Sequence, residues 1–249
     1  MNSSPHSLYR YHVENLRAID VALKKIALSL RRAIAVDNQK EIYAFTQVYA
    51  LLLGAWAEVR LNKLLYEPNG FNDDERRQIS QCNTLLERWE QTVEIAFRKQ
   101  FGVIKAPLSE KTLPYTAYAR FQAIMQMLGQ DLRAVIELRN RLAHGQFMYA
   151  FNSEGSNISQ IHTGMLRQAN LLGLQFKKKL LSQLADIIHD LVVSLPTFER
   201  DFDVHYKAIV QTRQNLRTRD YNAWAQQLRE KYLRGLEKRQ ILKIKEISG

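Results

Sequence analysis

"LRAIDVALKKIALSLRRA", residues 16–33, decides the fold class. Leu16, Ile19, Leu23, Ile26, Leu30 and Ala33 recur at alternating steps of three and four, the repeat that aligns side chains along one face of an α-helix. The stripe predicts a first helix over residues 6–35, broken by Asp37-Asn38. Asn38 with Glu41 reads as the cap of a second helix reaching about Tyr66, with Ile42, Phe45, Tyr49, Leu52, Trp56 and Val59 on its stripe. "EPNGFN" ends that helix, and Asn72 with Glu75 opens a third that lasts to about Phe101. A loop with two prolines follows, then a fourth helix over about 116–144.

Residues 145–162 are the least helical part of the chain and read as a loop or a short hairpin. A fifth helix carries Leu181, Leu184, Ile188, Leu191 and Leu195 until Pro196, and one or two basic helices fill the remainder. Only 10 Gly and 5 Pro in 249 residues leave few turns, which favours long helices over a many-stranded sheet. Long helices with short connections bury their stripes best against one another. The expected architecture is all-α: an antiparallel helical bundle over 1–197 and a basic C-terminal helical extension over 198–249.

The single cysteine, Cys82, excludes an intrachain disulfide and a Cys-rich zinc site, and suits a reducing compartment. Residues 1–20 lack the pattern of a signal peptide, and no uncharged apolar run approaches the length of a bilayer span, so a cytoplasmic location without membrane partners is expected. The net charge is +11, and residues 207–245 hold eleven Lys or Arg against Asp220, Glu230 and Glu237. Such a block is an electrostatic footprint for a polyanion, with Arg213, Arg217, Arg219, Arg229, Lys231, Arg234, Lys238 and Arg239 as the expected RNA-binding residues. The same block also reads as a solvated helix face.

The fourth helix ends in "LRNRLAHGQF", residues 138–147. On an ideal wheel, Arg139 falls at about 20°, inside the apolar arc of Leu132, Val135, Ile136 and Leu142. A guanidinium aimed into a packing face is costly unless an anion meets it. Glu58, within the apolar run "LLLGAWAEVRL", is the expected partner. Asn140 and His144 lie one turn apart on the adjacent flank, and Gly145 is placed to end the helix. Arg followed by Asn, with His five positions after the Arg, is expected by composition only about 0.03 times in such a chain.

"RNRLAHG" resembles the Arg-Asn-x-x-x-His signature of the HEPN superfamily, whose α-helical domains include ribonucleases of toxin–antitoxin, abortive-infection and RNA-targeting CRISPR systems. The resemblance covers about residues 1–197 and implies catalytic roles for Arg139, Asn140 and His144. Glu58 and Tyr149 are counted as supporting residues. Some HEPN toxins carry a tyrosine two positions after the histidine, where a partner modifies it; this chain has Gln146 there, and Tyr149 is not at the matching spacing.

The implied reaction is metal-independent cleavage of RNA without a cofactor, because the ribose 2′-OH is itself the nucleophile. Imidazole titrates near neutrality, so His144 would move the proton, and the Arg139 guanidinium would stabilise charge on the phosphoryl oxygens. The products would be a 2′,3′-cyclic phosphate and a 5′-OH. Arg139 and His144 diverge by about 140° on one helix, so a homodimer with a composite site is expected, as in HEPN ribonucleases. An antitoxin or defence-system protein is a further implied partner. The alternative is a non-catalytic helical nucleic-acid-binding or scaffold module, with Arg139 as a structural ion. Phe147, Tyr149 and Phe151 read either as core residues or as side chains that stack bases.

Two other pairings carry less weight. Arg200 and His205 share the motif's spacing, but Glu199, Asp201 and Asp203 would repel a phosphate. Asp186 and His189 are spaced like metal ligands, but no third ligand accompanies them.

Overall fold

A computed structural model describes residues 5–247, which fold as an all-α helical bundle with no strand among the described residues. The first two helices, α1 (Pro5–Ala35) and α2 (Gln39–Leu65), form a tight hairpin. Asn38 caps α2 by accepting from the Glu41 amide at 3.3 Å, as the sequence predicts. Of the α1 stripe, Leu23, Leu30 and Ala33 are buried, while Leu16, Ile19 and Ile26 pack against the same core.

Helix α2 is the centre of the bundle, packed between α1, α6 (Arg133–Ala143) and α8 (Leu171–Val193). Of the predicted stripe Tyr49 and Trp56 are buried and Ile42, Phe45 and Leu52 pack partly against the core, but the buried face also takes in Gln47, Ala50, Leu53, Gly54, Ala57, Leu61 and Leu64. A helix covered on several sides is apolar on several sides, so one stripe under-describes it. By length and composition α2 is also long and apolar enough to cross a bilayer, but here it lies inside the bundle. Lys178 of α8 stacks on Trp56 at 3.7 Å and meets Asp20 of α1 at 3.3 Å, tying α8 to both hairpin helices.

The predicted third helix is two. α3 (Asp73–Ser80) and α4 (Leu85–Phe101) are separated by a short break, and each starts in a capping box, Asn72 with Glu75 and Thr84 with Glu87. The second box stands in the sequence as "TLLE" and signals a helix start.

The predicted fourth helix is continuous from Tyr115 to Ala143 but not uniform. α5 (Tyr115–Met127) passes through a π-helical turn, Leu128–Leu132, into α6 (Arg133–Ala143). A π turn advances less per residue than an α turn, so a wheel started at Leu128 drifts before it reaches α6. Within α6 the phase holds: Val135, Ile136, Leu138 and Leu142 are buried and flank Arg139.

The loop after α6 is closed by one antiparallel bridge, Phe151 to Ile158, and gives way earlier than predicted to α7 (Gln160–Gln168). Asn170 caps α8 (Leu171–Val193). Ser194 caps α9 (Leu195–Thr218), in whose first turn Pro196 sits. Phe198, Phe202 and Ile209 of α9 belong to the common core, and Phe198 meets Phe97 edge-on at 5.8 Å. The bundle therefore extends past the boundary expected at residue 197. Helix α10 (Tyr221–Ile247) stands partly apart: Ala225 is buried and Trp224 and Leu228 pack inward, but residues 230–234 and 237–241 are exposed.

Candidate active site

Helix α6 lies across α2 at the residues of the motif. The Arg139 stem rests on Gly54, where an added Cβ would overlap both Cβ and Cγ of the arginine. The missing side chain on α2 creates the channel for the stem. One turn further along α2, Glu58 Oε2 accepts from Arg139 Nη2 at 2.7 Å. The expected carboxylate is there, but the pair is not sealed: the Arg139 side chain is 30% exposed and that of Glu58 37%.

Asn140 lies on the solvent side and its Oδ1 accepts from Arg139 Nη1 at 3.1 Å. Sequence spacing made Asn140 and His144 neighbours, and the His144 backbone amide does donate to the Asn140 carbonyl at 3.1 Å. The Asn140 side chain, however, is turned to the arginine. Glu58 and Asn140 thus hold the guanidinium by different terminal nitrogens, leaving further N–H donors for an anion.

His144 is the C-cap that follows α6, at φ −91° and ψ 18°. Gly145 follows at φ 76° and donates to Leu142 O at 3.0 Å, while Gln146 donates to Arg141 O at 3.0 Å. This is a Schellman end, and its left-handed residue explains the glycine. The His144 side chain is exposed and, among the described residues, makes no hydrogen bond or ion pair. It lies about 7 Å along the helix axis from Arg139, given the rise per residue.

Tyr149 is not brought to this group. It lies in the loop, 46% exposed, beneath the Arg167 guanidinium at 5.2 Å. The basic residues divide. Arg213 is anchored to Asp131 within the π turn, with Nε 3.1 Å from Oδ2, and Arg229 is anchored to Asp37 and to Ile34 O at 3.3 Å. Arg217, Arg219, Lys231, Arg234, Lys238 and Arg239 are exposed. Arg200 is held by its neighbour Asp201 at 2.7 Å, and His205 by Gln183 at 2.8 Å, so that pair does not form a second motif. Asp186 is paired with Arg60 at 2.8 Å, and His189 faces Glu67 and Asp190.

Comparison with known proteins finds no matching family model, no matching curated protein and no matching solved structure.

The residue that sequence reasoning missed is Gly54. Its signal was present in "GAWAE", a glycine one turn before a carboxylate in an otherwise apolar helix. A second polar group also went unread. Glu67, two residues past the end of α2, accepts from Tyr9 Oη at 3.1 Å and from Lys63, and lies 3.5 Å from His189 Nε2. Burial would raise this carboxyl, but the hydrogen bonds and charges of His189 and Lys63 outweigh it and pull it down to about 2.

Proposed function

We propose that the chain is a metal-independent endoribonuclease of the HEPN type. The observation that carries this reading is the end of α6: a clamped but half-open arginine and, at the C-cap, an exposed histidine with no partner among the described residues. The 2′-oxygen attacks phosphorus as its proton passes to a base. The P–O5′ bond breaks, O5′ takes a proton, and a 2′,3′-cyclic phosphate and a 5′-OH remain. His144 serves in one of these proton transfers, and Arg139 stabilises the phosphoryl oxygens. Asn140 keeps the guanidinium in register.

Since Arg139 and His144 diverge around the helix, the reading includes a homodimer in which two α6 ends face one cleft. It also includes a cytoplasmic toxin or antiviral-defence role, with RNA as substrate and an antitoxin or defence-system protein as controller.

A second reading is favoured by α10. Lys231, Arg234, Lys238 and Arg239 are exposed without carboxylate partners among the described residues, which suits a nucleic-acid-binding module that does not cut. Incubating mixed RNA with the protein in EDTA, beside His144→Ala and Arg139→Ala, separates the two. The nuclease cleaves as wild type and loses about 10²-fold or more on either substitution. Salt-sensitive binding without cleavage by wild type leaves the module.

A further inference from the structure

Resting on the RNA reading above, we propose that the loop after α6 is a preformed platform on which unpaired RNA bases stack beside His144. Its backbone is fastened from several sides. Tyr43 Oη donates to the Phe147 carbonyl, Arg141 Nη1 donates to the Phe151 carbonyl at 2.8 Å, and the Phe151 amide donates to Gln146 Oε1 at 3.1 Å. Ala150 is the inward anchor. It is fully buried, its amide donates to Thr163 Oγ1 at 3.0 Å, and its carbonyl accepts from Ser159 N at 2.8 Å.

With Ala150 held inward, its neighbours turn out. Phe147, Tyr149 and Phe151 are all exposed, so the reading of these aromatics as core does not hold. Three outward rings on a fastened backbone lose little entropy on binding, which suits stacking against planar partners.

The charge around the rings favours bases on a phosphate backbone. Arg167 already lies over one face of Tyr149, and Arg141 stands at the loop's base with no carboxylate partner among the described residues. Residues 145–168 contain one carboxylate, Glu154, at the far turn. Phe147 and Tyr149 follow His144 by three and five residues, so the rings belong to the segment that leaves the motif end of α6. The substrate class is therefore single-stranded RNA, since paired bases do not offer their faces.

The test uses the full chain and a fluorescein-labelled 12-nucleotide RNA with 2′-O-methyl groups throughout, which cannot be cleaved, read by anisotropy. Wild type binds the single strand and prefers it to the duplex. Phe147→Ala and Tyr149→Ala each weaken single-strand binding by about tenfold, and Tyr149→Phe, which keeps the ring, does not. Circular dichroism checks that the variants stay folded.

Equal binding by wild type and both alanine variants overturns the platform and leaves the nuclease untouched. A change of sedimentation coefficient in the alanine variants without a change in RNA binding also overturns it, assigning the surface to a second copy of the chain. Failure of wild type to bind any RNA overturns the platform and the RNA reading together, whereas cleavage lost on His144→Ala sustains the latter whatever the platform variants do.

Discussion

Arg139 touches α2 twice, its stem lying on the backbone of Gly54 and its guanidinium on Glu58 at 2.7 Å. The two contacts are one helical turn apart on α2, so a single arginine fixes both the distance and the rotation of α6 against α2. The motif is thus part of the packing of the bundle as well as its candidate chemistry.

Gly54→Ala tests this directly. Within a helix, alanine is favoured over glycine by about 1 kcal/mol. The added carbon would overlap the arginine stem, and overpacking of this kind costs about 1–3 kcal/mol or forces α6 outward. The expected outcome is a net loss of stability in urea denaturation, which adding Arg139→Ala relieves only in part, because alanine removes Cγ but keeps the Cβ that the new carbon meets first.

His144→Ala separates fold from function. The side chain is exposed and unpaired, so its removal should change stability by less than about 0.5 kcal/mol. Thermal melts beside the EDTA cleavage assay check this: an inactive protein with an unchanged Tm is the expected result. Arg139→Ala, by contrast, should lose both activity and stability.

Acid should loosen the far end of α2. Glu67 titrates at about 2 when folded against an ordinary 4.5, so its contribution is complete above the ordinary value and lost as pH falls from about 4.5 toward 2. Partial solvation keeps this to about 1–3 kcal/mol. Urea midpoints measured between pH 6 and pH 3 should fall, and Glu67→Gln should start lower and flatten the curve.

Salt dependence should distinguish the two sets of basic residues. If α10 contacts RNA, replacing Arg234, Lys238 and Arg239 with glutamine lowers the slope of log K against log salt by about 2. Arg213→Gln should leave the slope unchanged and destabilise the protein instead, since Arg213 is tied to Asp131. Anisotropy titrations at several salt concentrations check both.

What sequence determined was local. The stripe at 16–33, the caps at Asn38 and Asn72, and the glycine after His144 all act within a turn or two, through hydrogen bonds spanning a few residues. Even the missed break before Leu85 was written locally, in Thr84 and Glu87, and was overlooked only because the apolar pattern resumes so soon. Glu58 apart, which the sequence marked as the partner of Arg139, tertiary structure decided which partner each face would meet. Gly54 lies under Arg139 from 85 positions away in sequence, Asp131 claims Arg213, and Thr163 draws Ala150 inward so that its aromatic neighbours point out. These pairings follow from where helices cross, and a crossing is set by the fit of whole faces rather than by any run of residues.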